Sequence, residues 1–262
     1  MKIATWNVNS LNVRLPQVLD WLQQNPVDVL AVQETKMTDE KFPAADFQAI
    51  GYHAAFHGQK TYNGVTLISR TPAEHVTKAI PGFEDEQARV IAGSFNGVRV
   101  IDCYVVNGQE VDSNKYHYKL RWLKALRGYV EESLREHEHV VVTGDFNIAP
   151  NVDDTWDADL WEGKILCSDK ERAALNALID LGLTDCWQKF DHGEAVEDNK
   201  ARFTWWDYRQ AGFRRNLGLR IDHVLATATL AETCTACAVD LIPRSNERPS
   251  DHAPVVATFA HP

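Results

Sequence analysis

Short apolar runs of strand length alternate with amphipathic segments along this chain, a pattern typical of mixed α/β domains. Three segments with helical spacing of apolar residues, around positions 15–22, 118–130 and 175–179, predict helices. No apolar run approaches the ~20 residues that span a bilayer, so we expect no membrane association. No linker or repeat divides the chain, so we expect a single domain over residues 1–262. The predicted strands are residues 3–7, 27–33, 65–69, 90–95, 98–104, 139–143, 220–226 and 253–259.

Polar side chains stand at the ends of several of these predicted strands. They are Asn7, Glu34, Asp145, Asn147, Asp251 and His252. In mixed or antiparallel sheets such ends can meet at one rim, and both halves of the chain contribute to the set. We therefore predict an α/β fold in which two packed mixed β-sheets are flanked by helices, with a functional site at one end of the sandwich.

The segment from Gly144 to Asn147 is the sharpest local signal. In an extended chain, Asp145 and Asn147 would face the same side. A carboxylate beside an amide suits a hydrolytic water, because the carboxylate accepts its proton while the amide orients it. The alternative is an Asp-containing turn in which Asn147 binds loop backbone.

Carboxylates elsewhere suggest a metal ligand and a partner for a histidine. Glu34 ends an apolar strand with the hard oxygen ligand that Mg²⁺ prefers, and Asn7 could orient it or bind phosphate. Asp222 lies in an apolar run and needs a partner, for which His252 is the natural candidate. The alternatives are a solvated strand end at Glu34, a capping amide at Asn7 and a structural histidine at His252.

The charge of the chain is unevenly distributed. The formal net charge is −10, which by itself argues against general affinity for nucleic acid. Residues 202–220, however, contain five arginines interleaved with aromatic residues, which suggests a phosphate-binding face. Tyr104, Lys115 and Lys119 could also meet a phosphate, although a loop tyrosine and a surface helix face explain them equally well.

Five cysteines in 262 residues indicate reduced thiols, and the N-terminus shows no apolar signal segment, so we expect a cytoplasmic protein. Cys234 and Cys237 form a lone CxxC. In an extended strand they would point to opposite faces and could not share a metal. Buried thiols are the simpler interpretation.

The ordered set of motifs resembles the exonuclease III family of the endonuclease/exonuclease/phosphatase superfamily. The motifs occupy residues 5–10, 33–36, 144–150, 217–222 and 248–254, and the resemblance covers essentially the whole chain. It implies a four-layer α/β sandwich and Mg²⁺-dependent hydrolysis of DNA phosphodiesters, with Mn²⁺ able to substitute. The implied substrate is double-stranded DNA with 3′ ends, nicks or abasic sites, and the implied state is a monomer.

The resemblance also implies a role for each matched residue. Glu34 resembles the principal metal ligand, with Asn7 beside it and Asp251 near the ion. Asp145 resembles the residue that aligns or deprotonates the water, and Asn147 supports it. Which group is the general base stays open at this point.

On the substrate side, His252 paired with Asp222 resembles the group that contacts the scissile phosphate. Tyr104 resembles the phenol near that phosphate or its leaving group, and Trp205 resembles the aromatic wall of the lesion pocket. The residues expected to hold the DNA backbone are Lys60, Lys115, Arg209, Arg214 and Arg215.

Two features depart from the family pattern. Trp206 stands where phenylalanine is commoner, and the loop of residues 156–170 is not a standard match. Both leave open the ratio of abasic-site cleavage to exonuclease activity. The competing functions are a non-catalytic nucleic-acid-binding regulator on the same scaffold and a phosphatase of a small phosphorylated metabolite.

Overall fold

The computed structural model describes residues 1–190, 192 and 199–260. In that part of the chain the helices are α1 (Leu11–Gln24), α2 (Ala44–Ala49), α3 (Asn114–Glu136), α4 (Ala158–Trp161), α5 (Asp169–Ile179) and α6 (Ala228–Glu232). None of these helices has the length and apolarity to cross a membrane. The strands are β1 (Lys2–Asn7), β2 (Val29–Gln33), β3 (His53–His57), β4 (Val65–Ser69), β5 (Glu74–Lys78), β6 (Val90–Phe95), β7 (Val98–Tyr104), β8 (His139–Asp145), β9 (Leu183–Asp185), β10 (Trp205–Trp206), β11 (Gly218–Leu219), β12 (Asp222–Thr227), β13 (Cys234–Val239) and β14 (Val255–Phe259).

Twelve of these strands form two six-stranded mixed sheets. Sheet A has the order β13-β14-β1-β2-β4-β3, and sheet B has the order β5-β6-β7-β8-β12-β9. Each sheet contains one parallel pair among its described strands, β1 with β2 and β7 with β8. A parallel pair needs a crossover connection, and α1 and α3 supply the two crossovers.

Side chains of the central strands alternate between two apolar environments. On β8, Val141 lies in the core between the sheets, whereas Val140 and Val142 lie in the core beneath α3 and α5. A third core joins sheet A to α1 and α2. The order of layers is therefore helices, sheet A, sheet B and helices, which confirms the predicted four-layer sandwich.

The prediction from sequence located the central strands and missed most of the edge strands. β3 and β9 were not predicted, nor was β5, and each lies at the edge of its sheet. An edge strand contacts one neighbouring strand only, so its residues carry a weaker apolar pattern. The exposed sequence of β5 illustrates this, because four of its five residues are exposed.

The arrangement of the CxxC differs from expectation. The register of β13 against β14 shifts between Cys234 and Ala236, which marks a β-bulge. Because the bulge changes the alternation of side chains, Cys234 and Cys237 both face the core between the sheets. The expectation of opposite faces was wrong, whereas the expectation of buried free thiols is confirmed.

Candidate active site

The amide of Asn7 joins the two sheets at one rim of the sandwich. Asn7 ends β1 in sheet A, and its Nδ2 donates to Glu34 Oε1 and to Asp145 Oδ2, both at 2.9 Å. Glu34 follows β2 in sheet A, and Asp145 ends β8 in sheet B. The predicted convergence of polar strand ends is therefore present, and it is held by a single buried amide group.

Glu34 is kept ionised by its surroundings. Burial acts to raise the pKa of this carboxyl, but the nearby ammonium of Lys36 and the hydrogen bond from Asn7 outweigh burial and lower it. Lys36 Nζ lies 3.0 Å from Glu34 Oε2, and the Tyr104 hydroxyl donates to Glu34 Oε1 at 2.9 Å. The side chain of Glu34 remains 17% exposed, so water can reach it.

Asp145 and Asn147 form a turn rather than an extended pair. Asn147 has a φ of 50°, in the left-handed region that asparagine tolerates well, and its N–H donates to Asp145 Oδ1 at 2.9 Å. Its side-chain amide donates to the carbonyl of Val105 and accepts from Asn107. The expectation that the two residues share one face of an extended chain was wrong, because the Asp-containing turn bends the backbone directly after Asp145.

His252 and Asp222 form the pair that the sequence predicted. His252 Nδ1 lies 2.8 Å from Asp222 Oδ2, and His252 Nε2 lies 3.7 Å from Asp145 Oδ2. Asp222 is opposite Asp145 in the register of β12 against β8. The Ser250 hydroxyl accepts from the backbone N–H of His252 and donates to the carbonyl of Asn7, which fixes the segment before β14 against β1.

His252 and Asp145 have strongly shifted pKa values. Burial alone would lower the pKa of His252, but the carboxylates of Asp222 and Asp145 raise it to about 10. Burial raises the pKa of Asp145 to about 7, partly offset by the charge of His252. At neutral pH the site therefore contains a cationic imidazole next to a carboxyl group that can gain or lose a proton.

Two carboxylates of the rim fit a divalent cation. Glu34 and Asp145 offer hard oxygen ligands on either side of one amide, and Mg²⁺ is commonly held by one or two carboxylates with several waters. Among the described residues, ligand atoms of Asp145, Asp222 and His252 also lie within 4.8 Å of one another. A protonated imidazole has no lone pair for a metal, so His252 does not fit that role.

Asp251 accepts hydrogen bonds from two side chains next to the rim. Its Oδ2 accepts from the Trp205 indole and its Oδ1 accepts from Asn9 Nδ2, both at 3.0 Å. The Oδ1 atom of Asn9 in turn accepts from Lys36 Nζ at 2.6 Å. Asp251 is thus linked to Glu34 through Asn9 and Lys36, and its role toward a metal remains a prediction.

Tyr104 stays a neutral phenol in this environment. Burial raises its pKa well above the usual value, and the negative charges of Glu34 and Asp145 add to that effect. The guanidinium of Arg89 lies 4.8 Å from the centre of the Tyr104 ring and donates to the Tyr104 carbonyl. Tyr104 can therefore donate a hydrogen bond across a wide range of pH.

Most of the predicted basic contacts are exposed. Lys60, Lys115, Arg209, Arg214 and Arg215 all present their side chains at the surface. Arg209 is paired with Asp207 at 2.6 Å.

Two other basic residues contradict the sequence interpretation. Arg220, one of the five arginines in residues 202–220, is buried and paired with Asp154 and Asp185, so it is not part of a phosphate-binding face. Lys119 is buried as well and cannot reach a phosphate.

The supporting roles of Asn9, Lys36 and Lys119 were not predicted. Asn9 and Lys36 lie within the quoted motifs, where their polarity could have indicated a role. Lys119 donates to the carbonyls of Asn107 and Asn147 and pairs with Glu171 at 2.5 Å. Its partner is distant in sequence, so no local pattern indicated this pair.

Comparison with known proteins identifies the family of this chain. The sequence matches the Endonuclease/Exonuclease/phosphatase family over residues 4–252. It is 34% identical to an exodeoxyribonuclease III of Haemophilus influenzae, over 99% of this chain and 100% of the relative. A solved structure of a 3′ phosphatase from Neisseria, bound to a product DNA hairpin, has a TM-score of 0.94 and 48% identity, covering 99% of both chains. An AP endonuclease from Archaeoglobus fulgidus has a TM-score of 0.92 and 39% identity, also covering 99% of both chains. The chain therefore belongs to the endonuclease/exonuclease/phosphatase family, and the resemblance to its exonuclease III members is confirmed.

Proposed function

We propose that this protein is a metal-dependent DNA repair nuclease that hydrolyses phosphodiesters at the 3′ ends of duplex DNA and on the 5′ side of abasic sites. The proposal rests on the arrangement of side chains at the rim. The Asn7 amide donates hydrogen bonds to Glu34 and Asp145, and Nε2 of the cationic His252 lies 3.7 Å from Asp145 Oδ2. A proton acceptor, a cationic side chain and a carboxylate that can hold a metal ion are all groups that accelerate phosphodiester hydrolysis.

In the proposed reaction Asp145 takes the proton of the attacking water. The carboxylate is held by Asn7 and by the N–H of Asn147, so one oxygen can face the water in a fixed direction. Its pKa of about 7 suits proton transfer near neutral pH. The water oxygen then bonds to phosphorus, and the bond from phosphorus to the 3′-oxygen of the preceding nucleotide breaks.

His252 stabilises the charge that builds on the phosphate. Its Nδ1–H is directed at Asp222, which leaves the Nε2–H to bind a non-bridging oxygen. Tyr104 offers its hydroxyl beside Glu34, where the phosphate or its leaving group would lie. When bound at Glu34, a divalent cation would neutralise the phosphate and the departing 3′-oxygen, and we propose Mg²⁺, with Mn²⁺ as a substitute.

The proposed substrate is double-stranded DNA with 3′ ends, nicks or abasic sites. Support comes from the relatives, which include an exodeoxyribonuclease III, a 3′ phosphatase bound to a DNA hairpin and an AP endonuclease. Lys60, Lys115, Arg214 and Arg215 would hold the backbone without reading bases. The regulator alternative is disfavoured because such a protein has no need of the acids Glu34, Asp145 and Asp222 in a working arrangement.

We further propose that residues 1–262 act as one domain and as a monomer in the cytoplasm. The free, buried state of all five cysteines supports a reducing compartment. Sedimentation of the purified protein tests the monomer, and a lasting dimer at micromolar concentration would contradict it.

Cleavage of end-labelled duplexes tests the function. Intact, nicked, 3′-recessed and abasic duplexes are incubated with Mg²⁺ or with EDTA. We expect Mg²⁺-dependent shortening from 3′ ends and incision at abasic sites. Asp145→Asn should lower the single-turnover rate by at least about 10²-fold. It should also leave DNA binding, measured with Ca²⁺, equal or tighter, because a negative charge is removed near the polyanion.

Asp153→Asn is a matched control, since Asp153 is an exposed acid outside the rim. Wild-type protein that binds the duplex and cleaves none of these substrates with Mg²⁺ or Mn²⁺ would favour the regulator. Cleavage confined to small phosphorylated metabolites would favour the phosphatase.

A further inference from the structure

A second polar bridge between the sheets lies in the core behind the rim. Gln33 is the last residue of β2 in sheet A, and its Nε2 donates to Asp102 Oδ1 on β7 of sheet B at 2.7 Å. The same Nε2 donates to Thr5 Oγ1 on β1 at 2.9 Å. Gln33 and Asp102 are both 0% exposed, so solvent does not reach the two groups. We name this contact the Gln33–Asp102 bridge.

Two oxygen atoms of the Gln33–Asp102 bridge lack a partner. Among the described residues, Gln33 Oε1 and Asp102 Oδ2 are buried and neither forms a hydrogen bond. A buried polar atom without a partner is costly, so nearly all such atoms in folded proteins are paired. The two oxygens belong to groups that already share one hydrogen bond, and a single proton between them would satisfy both.

An ionised Asp102 would have no positive charge to balance it. In the part of the chain that the structure describes, no cationic side chain lies close enough to lower the pKa of Asp102. Burial raises this pKa well above its usual range, against hydrogen bonds from Gln33 and from the backbone of Thr66 and Val32 that act to lower it. A carboxylate without a cation is expensive to bury and takes up a proton instead.

The ionisable groups around Asp102 do not favour its charge. On the same strand, the Cys103 thiol stays neutral because burial raises its pKa well above the usual value. On β8, Asp145 is an acid whose negative charge would oppose ionisation of Asp102. Arg89, which precedes β6, directs its guanidinium at the ring and the carbonyl of Tyr104. The residues of sheet A that face sheet B at this level have no ionisable side chain, and they are Thr5, Gln33 and Val65.

Resting on the proposed function for its catalytic consequence, we infer that Asp102 is a neutral carboxylic acid that pairs reciprocally with the Gln33 amide and thereby positions Glu34. The acid accepts from Gln33 Nε2 at Oδ1 and donates its proton from Oδ2 to Gln33 Oε1, so each group gives and receives one hydrogen bond. Asp102 is a positioning residue, since it acts on the reaction only through its neighbours.

The reciprocal pair acts on Glu34 through the backbone. Glu34 has a φ of 56°, in the left-handed region that glutamate seldom adopts, so its surroundings have to hold this conformation. The N–H of Ser10 donates to the carbonyl of Glu34 at 2.8 Å, and the side chain of Gln33 anchors the preceding residue to sheet B. Loss of the pair would free the end of β2 and let the Glu34 carboxylate move relative to Asp145 on the other sheet.

The dependence of stability on pH tests the protonation state of Asp102. In the unfolded chain the pKa of an aspartate is about 3.9, so unfolding releases one proton if native Asp102 is neutral. The wild-type protein should therefore lose stability relative to Asp102→Asn as pH rises, by about tenfold in the folding equilibrium constant per pH unit between pH 5 and 7. Asparagine can still accept from Gln33 Nε2 and donate to Gln33 Oε1, so this variant should fold. Urea unfolding at pH 5, 6 and 7 measures the ratio, and the proton of Asp145 cancels because both proteins carry it.

Asp153→Asn is the matched control, because Asp153 is an exposed acid whose removal should leave the pH dependence unchanged. The infrared difference spectrum of wild type and Asp102→Asn at pH 7 should also contain the carbonyl band of a protonated carboxylic acid. Equal pH dependence in these two proteins, or the absence of that band, would show an ionised Asp102 and overturn the inference.

Metal binding tests the positioning role without cleavage. Asp102→Val removes both hydrogen bonds of the reciprocal pair. Binding of Mn²⁺ to the DNA-free protein, measured by electron paramagnetic resonance, should weaken by about tenfold, the low end of the loss caused by removing a residue that supports a metal ligand. Asp102→Asn should bind Mn²⁺ within about twofold of wild type, and Glu34→Ala sets the affinity without the ligand. Unchanged affinity in Asp102→Val, or an equal loss in both Asp102 variants, would overturn the positioning role.

Two further measurements keep these outcomes separate. Asp102→Thr replaces Asp102→Val if the latter does not fold, because a single hydroxyl reaches at most one of the two Gln33 atoms and should also weaken Mn²⁺ binding. Single-turnover cleavage should fall by about tenfold in the variant that weakens Mn²⁺ binding and stay near the wild-type rate in Asp102→Asn. Wild-type protein that cleaves no DNA would contradict the proposed function, and the pH and Mn²⁺ measurements would still decide the inference.

Discussion

Replacing the buried lysine of α3 should damage both stability and catalysis. Lys119 and Glu171 are both 0% exposed, and the ammonium also donates to the carbonyls of Asn107 at 3.1 Å and Asn147 at 2.7 Å. Burial lowers the pKa of Lys119, opposed by the charge of Glu171. Lys119→Met keeps the length of the side chain and removes its charge and all three of these contacts.

The expected loss of stability follows from these contacts. Breaking a buried ion pair on one side costs about 3–5 kcal/mol. The Glu171 carboxylate would retain the N–H groups of Leu166 and Ser168 and the Ser168 hydroxyl, so we expect a value at the low end of that range. Two backbone carbonyls would lose a donor, one of them in the turn that follows Asp145.

The catalytic effect follows from the position of that turn. Without Lys119, Asn147 is anchored mainly through its side chain, and the N–H that it donates to Asp145 can shift. A displacement of about 1 Å can cost up to about 10²-fold in rate, so kcat should fall while KM changes little.

Urea unfolding and single-turnover cleavage of Lys119→Met, Glu171→Gln and the double variant test this reasoning. The double variant should lose less stability than the sum of the singles, because the two side chains interact directly. Lys124→Met is the control, since Lys124 is exposed on the same helix. A Lys119→Met protein with wild-type unfolding midpoint and rate would refute the argument.

Three further outcomes follow from the site. The single-turnover rate should rise as pH increases through about 7, where Asp145 loses its proton, and fall as pH passes about 10, where His252 loses its proton. Asp222→Asn should move the fall in rate to lower pH, because it removes the carboxylate that raises the pKa of His252. A fall in rate at an unchanged pH would contradict the pairing of Asp222 with His252. Glu34→Ala should abolish metal-dependent cleavage with an unchanged circular dichroism spectrum, and near-wild-type rates at saturating Mg²⁺ would show that the ligand lies elsewhere. DNA affinity should fall steeply as the salt concentration rises, with a slope of log binding constant against log salt concentration of about −0.9 per phosphate contact. Arg214→Ala should reduce the magnitude of this slope by about one. An affinity that does not change with salt concentration would exclude the basic contacts.

The sequence predicted the rim well because strong apolar runs identify central strands. A polar residue at the end of such a run must lie where that strand ends, at the rim of the sandwich. The pairing of Asp222 with His252 followed from the cost of burying a lone carboxylate. Both inferences depend on which residues are buried, and the pattern of apolar residues in the sequence indicates this directly.

The parts that the sequence did not predict depend on tertiary contacts. Lys115 and Lys119 share one face of α3, yet Lys115 is exposed and Lys119 is covered by the first turn of α5, which carries Glu171. The left-handed φ of Asn147 and the bulge after Cys234 are backbone conformations that the local pattern of apolar and polar residues does not predict. Helical spacing shows which residues are neighbours on a helix, but not what covers them.

The two sheets have the same succession of strand pairings: antiparallel, antiparallel, parallel, antiparallel and antiparallel. The sandwich thus has two halves with the same strand order. Glu34 directly follows the second strand of one parallel pair, and Asp145 is the last residue of the second strand of the other. Their neighbours differ. Lys36 keeps the first carboxyl charged, whereas burial lets the second exchange a proton near neutral pH. Two sheets with the same order of strand pairings therefore differ in chemistry through a few side chains. One carries a carboxylate suited to hold a cation, and the other carries a carboxyl suited to activate water.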